Sequence, residues 1–179
     1  ISCQVLADLQ TIREYKGKLA GLKLAFIGDG NNMAHSLMYG GAKMGMDVMI
    51  ASPSHYVPDA TVLANAEADA KANGGSVTIV SDPGEAAKDA DVIYTDVWAS
   101  MGMEAEAEAR MKAFAGYQVN AKLMSAAKPG AMVQHCLPAH REEEITDEIF
   151  ELHQKEIFDE AENRLHAQMA VMALTMADK

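Results

Sequence analysis

Residues 135–141 read HCLPAHR, and the residue types in this stretch permit three chemistries. His135, Cys136 and His140 could hold a metal. Cys136 could be a nucleophile beside a histidine base. The stretch could also be a strand-end loop that touches a substrate, because it follows the apolar run GAMVQ. Zinc takes three or four ligands at set spacings, and these three match no known finger pattern. A cysteine protease needs a separated histidine and an orienting Asn or Asp, which nothing in the chain marks. A buried cysteine behind a core strand is the plain packing alternative.

Three other stretches carry comparable groups. DVWASMGME (96–104) puts a carboxylate, Asp96, at the tip of an apolar run. An unpaired carboxylate there is costly, so Asp96 calls for a cation, for which a substrate ammonium would serve. Ser100, Met101 and Gly102 follow in a loop, and Ser100 with Glu104 could equally cap the next helix. GDGNNM (28–33) supplies the first two glycines of a dinucleotide fingerprint, but Met33 replaces the third. The next strand ends in IASPSH, with no acid to hold a ribose hydroxyl. A tight turn capped by Asn31 or Asn32 is one alternative, and a helix N-terminus with an Asn amide for a small anion is another. In DEAENRLHAQMA (159–170), Glu162, Asn163 and Arg164 crowd the expected start of a helix. They form either a solvated charged face or an arginine set to fork onto a phosphate or carbonyl.

The elements that must position these groups alternate along the chain. Helical spacing covers 4–17, through Val5, Leu6, Leu9 and Ile12, and closes at Gly17. Strands are expected at 22–28, 46–52, 76–80, 91–96 and 131–135. Helices are expected at 31–45, 59–75, 82–90, 104–117, 118–127, 142–152 and 159–179. Short strands, apolar on both faces and separated by helices, predict an α/β fold: a doubly wound, Rossmann-like sheet of five parallel strands with helices on both faces. Ligands of such sheets bind beyond the carboxyl ends of the strands, where the stretches above fall.

Composition narrows the partners. The 179 residues suit one domain, and 49% of them are apolar. The 13 methionines read as packing in an aromatic-poor core. A net charge of −11 argues against nucleic acid, and no basic run marks an anionic membrane surface. No apolar stretch reaches the roughly 20 residues of a membrane span. Two cysteines without a secretory leader make no disulfide framework, so a reducing, cytoplasmic setting is expected. The opening residues ISCQVLADLQ begin as if inside a helix, which suggests a piece of a longer chain.

CQVLADLQTI, GDGNNMAHSLM, DVWASMGME, HCLPAHR and FDEAENRLHAQMA together resemble, in order and spacing, the second, ornithine-binding domain of the ornithine carbamoyltransferases. The resemblance covers essentially residues 1–179. SMG and HCLP are its specific parts, and Cys136 points to the ornithine branch, since aspartate-type relatives carry proline there. The resemblance implies that carbamoyl phosphate and L-ornithine give L-citrulline and phosphate, with neither metal nor organic cofactor. It implies that Asn32 contacts the ornithine α-carboxylate, that Asp96 and Ser100 hold the α-ammonium, and that Met101 donates a backbone N–H. It places Cys136 beside the attacking δ-amine, the Leu137 carbonyl at a cis Leu137–Pro138 bond, and Arg164 at the carbamoyl group. His135 then positions its neighbours instead of acting as the base.

The chain also departs from the family pattern. The family's His-Pro-x-Gln reads Ile1-Ser2-Cys3-Gln4 here, so Gln4 matches and the histidine does not. The phosphate-binding first domain is absent, so carbamoyl phosphate would bind only with that domain, and this chain is expected not to turn over alone. The parent enzyme is expected to be a homotrimer built largely by the missing domain. Leu6, Leu9, Ile12, Leu165, Met169, Met172 and Met176 should then pair with one another or with another molecule. A non-catalytic amino-acid-binding or interaction module is the alternative function.

Overall fold

Alternate residues of each strand face opposite sides of one sheet, and that alternation builds two cores. The computed structural model describes residues 2–99 and 106–176. Its strands are β1 (Lys23–Ile27), β2 (Asp47–Ala51), β3 (Ser76–Val80), β4 (Val92–Thr95) and β5 (Met132–His135). They pair in parallel in the order β3-β2-β1-β4-β5. Leu24 and Phe26 of β1 enter one core with Val48, Ile50, Val92 and Tyr94. Ala25 and Ile27 enter the other with Ile93 and Val133. The five-stranded doubly wound sheet read from the sequence is the observed fold.

Helices α1 (Ser2–Lys16), α2 (Asn32–Lys43) and α3 (Ala60–Asn73) cover the first face through Leu9, Ile12, Leu37, Met38, Ala66 and Ala70. Helices α4 (Pro83–Ala87), α5 (Ala107–Ala113) and α7 (Asp147–Leu152) line the second through Ala86, Phe114 at the α5 C-cap, Ile149 and Phe150. A short α6 (Ala121–Met124) lies beside α4. The small residues of α2 serve close packing: a Cβ on Gly40 would lie 2.5 Å from Val5, and one on Gly41 would lie 2.4 Å from Val48.

Helix α8 (Gln154–Met176) runs along β5, the outer strand nearest the site. An outer strand leaves N–H groups unpaired. Here Glu156 accepts from Val133 N–H at 2.8 Å, and Glu160 accepts from His135 N–H at 3.0 Å. Two residues along a strand span about 6.6 Å and four along a helix about 6 Å, so the carboxylates match the donors.

Three element expectations need correction. Helix α8 begins at Gln154, five residues before the expected start at 159, so Glu162, Asn163 and Arg164 sit inside it rather than at its start. Strong helix formers at Lys155 and Glu156 carry the helix back toward the strand edge it covers. Residues 142–145 form a turn, because the Thr146 side chain caps α7 by accepting from Ile149 N–H and Glu142 N–H bonds Ile145 O at 2.8 Å. Residues 118–127 hold only α6, capped by Asn120. The expected helix over 104–117 is seen as α5, and the Ser100–Glu104 cap lies outside the described residues.

The contact between α1 and α8 is polar. Asn163 Nδ2 donates to Thr11 Oγ1 at 2.9 Å and to Glu14 at 2.8 Å, and Tyr15 O–H donates to Asp159 at 2.5 Å. Leu9 and Ile12 are in the core, but Leu6, Leu165, Met169, Met172 and Met176 are exposed. Of the two expected alternatives, pairing with each other or with another molecule, the first is not seen, because carboxylates, amides and an arginine occupy the seam. No helix among the described residues is long and apolar enough to cross a membrane.

Candidate functional site

The loops that leave β1, β4 and β5 meet where the strand order reverses, between the inner strands β1 and β4. A cavity of about 410 Å³ opens there. Gln4, Asn32, Asp96, Cys136, Leu137 and Arg164 line it together with Met33, Val97, Ala99, Pro138 and His140. These six are the described residues that the family resemblance assigns to the site, and His140 and Met33, also singled out in the sequence, line the same cavity. Ser100 and Met101 lie outside the described residues.

The β1 wall is set by packing. Gly30 N–H donates to Tyr56 O at 2.7 Å. A Cβ on Gly30 would lie 2.3 Å from Pro58 N and 2.5 Å from Tyr56 O. The glycine thus admits the loop after β2, which fills the approach a pyrophosphate would need, and the dinucleotide alternative loses its second glycine. Asn31 caps α2 by accepting from Met33 N–H at 3.2 Å. Asn32 Oδ1 accepts from the same N–H at 2.9 Å. Its Nδ2 is the end left free to face the cavity, with no partner among the described residues. Asp29, beneath this loop, pairs with buried Arg110 at 2.6 Å, and Arg110 also donates to Trp98 O at 3.0 Å. The loops after β1 and β4 are thereby tied together.

Asp96 stands just past β4, half-buried, and its Oδ1 accepts from Val97 N–H at 2.8 Å. Among the described residues it has no ion-pair partner. The Cys136 Sγ lies within 4.8 Å of an Asp96 carboxylate oxygen, and burial, followed by the Asp96 charge, pushes that thiol far above its ordinary range. Cys136 is therefore a protonated thiol at neutral pH and not a poised nucleophile.

His135 is completely buried, and both its nitrogens are committed. Nδ1 accepts from Leu137 N–H at 2.9 Å, which places the ring proton on Nε2, 2.9 Å from Glu144 Oε1. His140 N–H donates to the same oxygen at 2.7 Å. Glu144 thus folds the HCLPAHR loop back on itself. Asp96, His135 and Cys136 are close enough to share an ion, but the histidine has no lone pair to spare. The Leu137–Pro138 bond is cis. Arg141, on the outside, pairs with Asp147 and Glu151 and lies 4.3 Å over the Phe150 ring.

Arg164 enters from α8 and donates from Nη1 to Gln4 Oε1 at 2.8 Å. Its Nε is buried without an acceptor among the described residues. Behind Gln4 lie Asp8, Tyr94 and Glu160, all fully buried. These three, with Glu144, are absent from the sequence reading. The signal was present as helical spacing, since Gln4 and Asp8 in α1 and Glu160 and Arg164 in α8 each stand four apart.

The family model for aspartate/ornithine carbamoyltransferase, Asp/Orn binding domain, matches residues 20–175. Ornithine carbamoyltransferase of Thermococcus kodakarensis is 58% identical over 174 residues, 97% of this chain and 55% of that protein. The Symbiobacterium thermophilum enzyme is 60% identical over 175 residues, 98% of this chain and 56% of its own. Among solved structures, ornithine carbamoyltransferase from Pyrococcus furiosus superposes with a TM-score of 0.92 at 56% identity, covering 97% of this chain and 56% of that one. The Giardia lamblia ornithine transcarbamoylase gives 0.89 at 32% identity, covering 99% and 60%. The chain spans about half the length of the relatives it matches. It belongs to the aspartate/ornithine carbamoyltransferase family, through that family's Asp/Orn binding domain.

Proposed function

We propose that the cavity binds L-ornithine and forms the amino-acid half of an ornithine carbamoyltransferase site. One observation carries the reading: Gln4, Asn32, Asp96, Cys136, Leu137 and Arg164 line a single cavity at the strand ends. In the proposed pose the α-carboxylate meets the Asn32 amide and a Met101 N–H. The α-ammonium meets Asp96 and Ser100, which fits a carboxylate with no cation among the described residues. The δ-amine lies beside the Cys136 thiol and the Leu137 carbonyl. The substrate carbamoyl group gives Arg164 Nε the acceptor it lacks, beside Gln4.

The reaction follows from this pose. The neutral δ-amine attacks the carbamoyl carbon and forms a C–N bond. The C–O bond to phosphate breaks, and phosphate leaves with that electron pair. The amine gives up one proton, which the departing phosphate takes, and the products are L-citrulline and hydrogen phosphate. Alignment and oriented donors supply the catalysis, and no cofactor enters.

We take residues 1–179 as one ornithine-binding domain that does not turn over alone, since the relatives carry as much chain again and the phosphate would be held there. The whole enzyme is proposed as a homotrimer, in a reducing cytoplasmic compartment that suits two free thiols. Nuclear magnetic resonance tests the pose. Ornithine should shift the Asn32, Val97 and Leu137 amides while NAD leaves them in place. Shifts with NAD and none with ornithine would refute it.

A further inference from the structure

Asp8 in α1 and Glu160 in α8 accept from the same Gln4 amide beneath the cavity, and neither is exposed to solvent. Two bare carboxylates there would repel each other in a medium that screens little. The hydrogen bonds around them resolve the conflict in a particular way. Gln4 Nε2 donates to Asp8 Oδ1 at 2.8 Å and to Glu160 Oε1 at 3.2 Å, which uses both amide hydrogens. Tyr94 O–H donates to Glu160 Oε1 at 3.1 Å, and His135 N–H donates to Glu160 Oε2 at 3.0 Å. Asp8 Oδ2 is buried and receives nothing from any N–H or hydroxyl among the described residues. A proton held between the two acids would give that oxygen a partner.

The consequence reaches the cavity through Gln4. With both amide hydrogens claimed by the acids, Gln4 must turn its oxygen the other way, and Arg164 Nη1 donates to that oxygen. A flipped amide would set its NH₂ against the guanidinium and its oxygen against two acids. We propose that Asp8 and Glu160 act as one positioning unit, holding a single proton between them, that locks the Gln4 amide and so aims Arg164 into the cavity. The functional reading enters only in what Arg164 meets there. The behaviour of the pair is independent of it and is measured without ligand.

The charged and titratable groups facing the pair are Tyr94 from β4, His135 and Cys136 from β5 and its loop, Asp96 beyond them, and Arg164 from α8. Burial is the largest influence on both acids and raises both, carrying Asp8 to about 7. The sign follows. Unfolded, the acids release their protons near pH 4. Folded, they keep one, so the stability this proton confers is complete below about pH 4 and falls as pH rises above it. Asp29 is also raised by burial and adds to the same trend, so the test compares variants. Glu14, Asp59, Asp91 and Asp159 are lowered and act only below about pH 4.

The test is urea denaturation of the 179-residue chain from about pH 5 to about pH 9, beside NMR of the Arg164 Nε–H. Asp8→Asn replaces the shared proton with a fixed N–H and keeps one negative charge. It should fold, leave the Arg164 resonance in place, and remove at least half of the wild-type fall in urea midpoint with pH. Glu160→Gln should do the same from the other side. Asp8→Leu should move the Arg164 resonance. A wild-type midpoint that does not fall over this range, or falls equally in Asp8→Asn and Glu160→Gln, overturns the shared proton. An Arg164 resonance that stays put in a folded Asp8→Leu overturns the positioning. If Asp8→Leu does not fold, the double variant Asp8→Asn/Glu160→Gln decides. By removing the remaining charge and leaving Gln4 competing with two amides, it should shift the Arg164 resonance, and an unshifted resonance overturns the proposal.

Discussion

Gln4 accepts a hydrogen bond from Arg164 at 2.8 Å, joining the first and last helices across the floor of the cavity. The glutamine satisfies the arginine on one side and two acids on the other, so its loss leaves three partners short. Gln4→Ala should lower the unfolding free energy by about 2 kcal/mol, the cost of leaving buried polar groups without partners. A urea midpoint unchanged from wild type would show that the amide is not part of the seam.

His135 is expected to be structural. Its ring gives Glu144 a hydrogen bond at 2.9 Å and receives one from Leu137 N–H at 2.9 Å. His135→Phe fills the same space but takes one donor from a fully buried carboxylate that His140 N–H still holds. A buried acceptor left short typically costs about 1–3 kcal/mol. A thermal melt should show a large fall in midpoint, and Glu144→Gln, which keeps an acceptor, a smaller one. Equal and negligible shifts would contradict the assignment.

Gly30→Ala tests why that glycine is there. The added Cβ would lie 2.3 Å from Pro58 N, and backbone on both sides leaves little room to yield. The variant should lose about 1–3 kcal/mol, as overpacked sites do, and amide exchange should quicken at residues 54–57. An unaltered stability would mean that the loop after β2 can move away, reopening the space over the glycine.

Cys136 should resist alkylation. Burial and the neighbouring Asp96 both disfavour the thiolate, so iodoacetamide labelling near neutral pH should be far slower than for an unfolded cysteine. Asp96→Asn removes a charge that raises the thiol and should speed labelling without reaching the unfolded rate, because burial, the larger cause, persists. Mass-spectrometric labelling rates check both statements. A fast wild-type rate would return Cys136 to the class of reactive thiols.

The sequence carried the sheet well, because strands such as LKLAFIG and MDVMIAS are apolar runs bounded by glycine and polar residues. It carried the convergence of Asn32, Asp96, Cys136 and Arg164 through motif resemblance, with the strand-end rule giving the place. The start of α8 is not legible in the sequence, because Gln154–Phe158 shows no cap and no apolar period. What holds that turn in place is Glu156 reaching the edge of β5, a tertiary contact. Nothing in the sequence marks Asp8 and Glu160 as buried, since acidic residues on helices are usually exposed. Only the crossing of α1 over α8 buries them together. The row of Leu165, Met169, Met172 and Met176 is apolar, as its spacing suggests, but exposed, because α1 and α8 meet through Gln4, Thr11, Asn163 and Arg164 instead.

Calorimetric titration of the chain with L-ornithine, L-norvaline, putrescine and NAD tests the central claim most directly. The account predicts saturable heat with L-ornithine and L-norvaline, which share the α-amino and α-carboxylate groups. It predicts little with putrescine, which lacks the carboxylate, and loss of the ornithine heat in Asp96→Ala. Saturable binding of NAD with no response to either amino acid would contradict it.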